Sequence, residues 1–452
     1  MTQFTRFHRR HKRTLVLLGI LTLVFFVTAQ FVTRWKQPYF ANITTEWNWN
    51  SKTNENLRRE HKYYIKVRGE DSYFLSAIAR PDTESTNQLN IVLSGLDGTR
   101  GYGKFVCCVS RSDGSMLTTP AEFYHKHNHH QFLPAITQLF FHAEYDATQY
   151  VCKVQQTGKG VKHVNISLTT TACSDNAADY LPIKHQKQAK QGLAICAKVA
   201  YGHLLKPSRL IEWFEMQKML GVDKILVYDL ACGDDIKTVF RHYVDEGLLE
   251  VQPYSLPGKM PGLVQRSFVN RVKPQDSHDE ALTILDCHQR LGGYQYLMAA
   301  DFDEIIIPNN FLTLKQLLKN LTSENPTAAG FYFYVQFHLE DWGRYRNDTD
   351  IFFQQHLRSA KPRWECQKYI YLPSRVLTAI VHYFSPIGSF TNIYVKPEVA
   401  AIHHYRQCPQ GWTNCYPEII VDEQVMKYEK LHTKNTHEVL KKLNMKSYDS
   451  LV

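Results

Sequence analysis

The pattern of apolar and polar positions changes character several times along the chain. Residues 14–33 carry no charge and are rich in Leu, Val and Phe, a run long enough to cross a bilayer as a helix. Residues 34–67 are polar with no apolar period and read as a stem. Between 68 and 180 the apolar residues come in short runs, at 73–78, 90–93, 104–109 and 163–168, separated by Gly and Asp. That pattern predicts a small β-rich, sandwich-like domain. Residues 176–191 are polar and Lys/Gln-rich and mark an interdomain boundary.

From 190 to 452 strand patterns alternate with helix patterns. The runs at 193–199, 224–228 and 248–254 have the composition of buried strands. Apolar residues at helical spacing predict a helix over 209–220, capped by Ser208 and stopped by Gly221. A second runs from Asp234 or Asp235 to Gly247, a third over 277–292, and one or two more over 421–445. The sum is an α/β domain with a largely parallel sheet, whose ligands are expected at the carboxyl ends of the strands.

The most informative strand end is Asp301-Phe302-Asp303-Glu304, which follows the apolar run 294–300 and precedes three Ile and Pro308. In an extended segment Asp301 and Asp303 leave the same face. Crowded acids at a buried strand end repel each other unless a cation neutralises them. Two hard oxygen ligands suit Mg²⁺ or Mn²⁺ that also holds a diphosphate; the plainer alternative is a surface Asp-x-Asp turn. Asp229 and Tyr201 fall at neighbouring strand ends and are candidate contacts to a nucleotide. No glycine-rich phosphate loop is present, since Tyr201-Gly202-His203 follows the first strand.

Charge refines this picture. The formal charge is +10, but seven of the 53 Lys and Arg precede Gln37, where there is no acid, and the rest nearly balance the 43 acidic residues. The globular part therefore offers no nucleic-acid surface. Basic residues before 14 put a short tail, 1–13, in the cytosol and the bulk of the chain in the lumen, with 14–33 as an uncleaved anchor or, alternatively, a signal peptide. All ten Cys follow the anchor without a Cys-x-x-Cys knuckle, which favours disulfides over zinc. Asn42, Asn165, Asn320 and Asn347 each head an Asn-x-Ser/Thr triplet, candidate glycosylation sites in a lumenal protein. His125, His127, His129 and His130 read as an exposed loop.

Several motifs occur together in order: Leu210-Ile211-Glu212-Trp213-Phe214-Glu215, 220–224, Val227-Tyr228-Asp229, Asp286-Cys287 with Arg290, the 301–304 acids, Val381-His382-Tyr383 and Ile402-His403-His404-Tyr405-Arg406. From about 195 to 406 the chain resembles glycosyltransferase family 92. The resemblance implies a GT-A fold, a UDP-sugar donor, a divalent metal (usually Mn²⁺) and residence in the Golgi membrane as a type II protein. It also implies transfer of galactose from UDP-galactose in β1,4 linkage, to terminal galactose or fucose of N-glycans on glycoproteins. Asp301 and Asp303 are then the metal ligands, and His404, or its neighbour His403, completes the shell from the far end of the domain. Inversion needs a carboxylate base; Asp341 is the candidate, with Glu340 beside it. Asp286 is a cap or an ion-pair partner. Trp364 and Trp412 are candidate sugar-stacking residues, and Cys408 with Cys415 would close a short loop. A homo-oligomer is allowed. The alternatives are a catalytically silent glycan-binding or escort protein and a metal-dependent lumenal hydrolase.

Overall fold

The computed structural model describes residues 63–447 except 83–84, 86, 99–102, 127–144, 157–159, 202–204, 256, 258–273, 409–414 and 416–417. Asn42, the span 14–33, His127, His129, His130 and Trp412 lie outside the described residues.

The first strands are β1 (Ile65–Lys66), β2 (Ser72–Pro81), β3 (Gln88–Asp97), β4 (Val106–Arg111), β5 (Met116–Lys126), β6 (Asp146–Gln155), β7 (His163–Thr169) and β8 (Leu181–His185). Strands β2 to β8 close in the order β2-β3-β6-β5-β4-β7-β8, because β2 pairs with β3 on one side and with β8 on the other. The expected sandwich is therefore a closed seven-stranded barrel, which leaves no free edge among those strands. Its core includes Phe74, Phe105 and Tyr150, whose rings meet edge to face. Alternation along β4 sends Cys107 and Cys108 to opposite faces, where they bond Cys152 and Cys173. Residues 176–191, read as a boundary, contain β8 and the start of the next strand.

The chain continues as β9 (Gln188–Tyr201), α1 (Pro207–Met219), β10 (Lys224–Leu230), α2 (Asp234–Asp245), β11 (Leu249–Pro253), α3 (Pro274–Leu291), β12 (Gly293–Ala299), β13 (Glu304–Pro308), α4 (Leu314–Glu324) and β14 (Ala328–Leu339). It ends with α5 (Phe352–Gln355), β15 (Arg358–Ala360), β16 (Arg363–Tyr371), β17 (Val376–Ile380), β18 (Tyr383–Pro386), β19 (Thr391–Val395), β20 (Ala400–Arg406), β21 (Ile419–Val421) and α6 (Glu429–Lys442). The main sheet runs β11-β10-β9-β12-β16-β14-β20-β13. Its first four strands are mutually parallel, as the strand–helix alternation predicts. Beyond them β16 is antiparallel to β12 and β14, and β13 is antiparallel to β20.

The expectation of a mostly parallel GT-A-type α/β fold is thus corrected. The chain is β-rich, pairing a closed barrel with a mixed sheet. After β12 the long helices run out and the connections shorten, so neighbouring strands cannot all be joined by the crossovers that parallel pairing requires. Among the described residues no helix is long and apolar enough to cross a membrane. That finding corrects the expectation of a single-pass, membrane-anchored Golgi protein for the described residues, outside which the span 14–33 lies.

Helix α1 starts at Pro207, which suits the first turn because it has no N–H to satisfy, and Ser208 lies buried inside the helix rather than capping it. Helix α3 packs against the barrel. Its Asp286 is fully buried and accepts hydrogen bonds from Ser76 of β2, from Tyr228 of β10 at 2.6 Å and from Arg290 at 2.7 Å. Asp286 is therefore the ion-pair partner that joins barrel and sheet. The Cys196–Cys287 disulfide fastens the same helix to β9, and Cys408 bonds Cys415 as expected.

Candidate active site

The acidic segment is a turn between strands. At the end of β12 the Ala300 N–H donates to Cys196 O of β9 at 3.2 Å. The chain then folds back, with the Glu304 N–H donating to Asp301 O at 3.2 Å and the Asp301 N–H donating to Glu304 Oε2 at 3.0 Å. The turn is held from below by α1. Trp213 is fully buried, its ring meets Phe302 edge-on at 5.1 Å, and its indole N–H donates to Glu304 O at 3.0 Å. The Ile triple after Glu304 belongs to β13, which pairs with β20 and sets Glu304 opposite His404. Asp301 and Asp303 are thus brought together by a tight turn rather than by one extended strand.

Three distant strands deliver the partners. Lys198 of β9 reaches Asp301 Oδ1 at 2.7 Å and Glu280 at 3.2 Å. Lys368 of β16 reaches Asp301 Oδ2 at 3.0 Å and Glu304 at 3.4 Å. His404 of β20 lies 3.3 Å from Asp303 through Nε2 and 3.5 Å from Glu304 through Nδ1. Lys198 has a φ of +43°, a left-handed conformation for a residue with a side chain, at a register shift between β9 and β10. Such strain, worth about 1–3 kcal/mol, persists where surrounding contacts over-determine it; here the contacts are the two carboxylates on the ammonium.

The electrostatics follow from burial and pairing. Desolvation works against ionisation of Asp301, but Lys198 and Lys368 hold its carboxyl well below the usual range. Desolvation would also raise Asp303, and His404 outweighs it and lowers the group. Glu304, buried deepest, is pushed up by desolvation despite Lys368. Burial would favour neutral His404, yet Asp303 raises its pKa. Three carboxylates (Asp301, Glu304 and Glu280) contact the two ammoniums, and a fourth, Asp303, contacts the His404 imidazole. This excess of negative charge fits a divalent cation. So does the donor set, carboxylates plus an imidazole.

The other candidates are distributed around this turn. Asp229 and Tyr201 lie one residue out of register on the adjacent strands β10 and β9, at the same carboxyl edge as Asp301. Asp229 accepts the Cys232 N–H at 2.8 Å, which fixes the turn after β10. Glu340 and Asp341 form a 3₁₀ turn directly after β14, beside the end of β20. Both guanidinium arms of Arg209 engage Glu340 at 2.9 Å, whereas Asp341 is exposed. His403 points away from the acid turn, as alternation along β20 requires, and pairs with Asp422 at 3.3 Å. Trp364 is exposed and meets Tyr334 and Tyr394 edge-on at 5.1 and 5.0 Å. Asn320 and Asn347 are exposed, and Asn165 is half-buried on β7.

Lys198, Lys368 and Glu280 were not singled out from sequence. The available signal was a lysine inside an apolar strand, in Ile195-Cys196-Ala197-Lys198-Val199 and Lys368-Tyr369-Ile370-Tyr371. A buried ammonium needs a carboxylate partner, and the acidic turn was the obvious source.

The family model for Glycosyltransferase family 92 matches residues 191–449, more than half of the chain. The chain belongs to glycosyltransferase family 92. The match covers the mixed sheet and the acid turn, and the barrel precedes it. Among curated proteins the chain is 24% identical over 119 residues to the Caenorhabditis elegans "Beta-1,4-galactosyltransferase galt-1", an alignment spanning 26% of this chain and 25% of that one. Solved structures with partial likeness include S. aureus TarS 1-349 in complex with UDP-GlcNAc, at 11% identity and a TM-score of 0.26 over 51% of this chain and 62% of that one. A UDP-glucose pyrophosphorylase complexed with UDP-glucose has 11% identity and a TM-score of 0.21, over 56% and 99%. Likenesses that low carry no argument.

Proposed function

We propose that this family 92 chain is a metal-dependent, inverting glycosyltransferase that moves galactose from UDP-galactose to a glycan acceptor in β1,4 linkage, the acceptor being a terminal galactose or fucose of an N-glycan. The observation that carries the reading is the meeting of Asp301, Asp303 and His404 over the buried Lys198 and Lys368, at the carboxyl end of β12. The donor sugar and linkage rest on the likeness to the galactosyltransferase above.

A divalent cation such as Mn²⁺, held by Asp303 and His404 with Asp301 alongside, would supply the Lewis acid that offsets charge on the departing diphosphate. Lys198 and Lys368 keep Asp301 ionised and fixed in direction. Asp229 and Tyr201, on the same sheet edge, are suited to hold the nucleoside. Asp341, exposed in the turn directly after β14, is the carboxylate suited to take the acceptor proton. Trp364 and Tyr394 offer exposed ring faces for a sugar.

The test is a UDP-release and transfer screen with several UDP-sugars, with Mn²⁺ or EDTA, on the wild type, Asp303→Ala and Asp341→Asn. Release from UDP-galactose that needs Mn²⁺ and is lost in Asp303→Ala supports the reading. Asp341→Asn is expected to lose transfer while still binding donor. Folded protein with no metal-dependent release from any donor would leave the silent glycan-binding alternative in its place.

A further inference from the structure

We infer that His338, His403 and Asp422 form a second cation site, for a transition-metal dication that the ligand types identify as zinc. It lies on the face of β20 opposite the acid turn, and the inference does not depend on the transferase reading.

Strands β14 and β20 are parallel, with Gln336 opposite His403 and His338 opposite Tyr405. Alternation therefore puts His338 and His403 on one face and His404 on the other. The two imidazole rings stack at 4.6 Å and 26°. Asp422 follows β21 and brings Oδ2 to 3.3 Å from His403 Nε2. One ligand atom from each of the three residues lies within 4.8 Å of the other two.

The second observation is the state of His338. It is fully buried, and its Nδ1 lies 2.8 Å from His356 O. A carbonyl only accepts, so Nδ1 carries the proton and Nε2 presents a lone pair. That Nε2 is buried and has no hydrogen-bond partner. An orphaned buried acceptor costs about 1–3 kcal/mol, and a cation would satisfy it. An imidazole that donates one N–H to a backbone carbonyl while offering the other nitrogen is the usual preparation of a metal-binding histidine.

Two imidazoles and one carboxylate are softer than the oxygen-rich acid turn and suit zinc with a solvent molecule in the fourth position. Ligand atoms around tetrahedral zinc lie about 3.3 Å apart. His403 and Asp422 already meet that spacing, so closure is left to the His338 ring. Of the three residues, Asp422 lines a cavity of about 600 Å³ together with Asn309 and Gln336. A bound zinc would pin the segment after β21 to β14 and β20, and so fix the strand whose other face presents His404.

The experiment uses the full chain, loaded with Zn²⁺ and dialysed, with metal content measured and zinc-edge X-ray absorption recorded. We expect about one zinc per chain, bound by two imidazoles, in Asp303→Ala, and the same zinc in the wild type beside any held at the acid turn. We expect it to be lost in Asp422→Asn and His338→Gln with circular dichroism unchanged. The proposal is overturned if the folded wild type retains no zinc, if zinc is lost in Asp303→Ala but kept in the other two, or if a crystal grown with zinc has only a water among the three side chains. Should His338→Gln not fold, the wild-type spectrum and the Asp303→Ala protein still decide.

Discussion

Lys368→Met tests whether buried ammoniums stand in for part of a cation's charge at the acid turn. The Lys368 side chain is 1% exposed and contacts Asp301 at 3.0 Å and Glu304 at 3.4 Å. Methionine keeps the length and apolar stem and removes the charge. With an effective dielectric near 20, a unit pair at 3 Å interacts by about 5 kcal/mol. Removing one partner of a buried pair costs about 3–5 kcal/mol overall, because the remaining charge stays buried. Glu304, already shifted towards its neutral form by burial, can take up a proton and absorb part of that penalty. We expect a net loss near 3 kcal/mol at neutral pH in EDTA. We also expect Mn²⁺ to stabilise the variant more than the wild type, since a dication would restore the missing charge. Denaturant unfolding of both proteins, with Mn²⁺ and with EDTA, measures both effects. The reasoning is refuted if the variant matches the wild type in EDTA, or if Mn²⁺ stabilises the two equally.

Three further expectations follow from single contacts. Burial pushes the Glu212 carboxyl up to about 8, against the backbone N–H groups of Phe352 and Phe353 that favour its charged form. Its stabilising share is therefore complete below the ordinary glutamate pKa and is lost as pH rises to about 8. Glu212→Gln should flatten the fall in unfolding free energy between pH 5 and 8 by up to about 1.4 kcal/mol per pH unit, and an unchanged slope would show that Glu212 ionises normally. Asp286→Ala strands Arg290, Tyr228 and Ser76 and should cost about 3–5 kcal/mol in denaturant unfolding; a double-mutant cycle with Arg290→Ala that gives no coupling would remove Asp286 from the barrel–sheet junction. Trp213→Phe deletes the donor to Glu304 O and should cost about 1–3 kcal/mol while raising the Mn²⁺ concentration needed for half-maximal UDP release; a stability loss with unchanged Mn²⁺ response would mean that Trp213 does not steady the turn.

The parts of the fold read correctly from sequence are those set by local pattern. Strands β9, β10 and β11 and helices α1 to α3 are each defined by apolar period and by nearby stop signals, so their existence and parallel order were legible. Barrel closure was not, because it depends on β2 pairing with β8 across most of the barrel sequence, and no local period encodes a long-range partner. The pattern puts the acids at a strand end, but it does not show that the Ile triple after them is a separate strand, β13. Hydrophobicity alone cannot distinguish one buried strand from two joined by a turn, and here the turn residues are the acids themselves.

The site was legible in proportion to how much of it is contiguous. Asp301 and Asp303 sit on one short turn, and their spacing announces crowded charge. His404 was reachable only through the family resemblance; alternation along a strand limits the acid turn to one of two adjacent histidines without saying which. The lysines are the converse case: Lys198 and Lys368 are separated from the turn by whole elements, and only the rule that a buried cation needs an anion links them to it. That rule also works in reverse. Once Asp301 is seen to hold two ammoniums, Asp303 becomes the more open carboxylate of the turn, its side chain 43% exposed against 31% for Asp301, with His404 buried beside it. A cation approaching the sheet edge would therefore meet Asp303 first, while Asp301 is held in place by the lysines. This ordering makes Asp303→Ala the sharper probe of metal binding, and it makes Asp301→Ala principally a probe of stability.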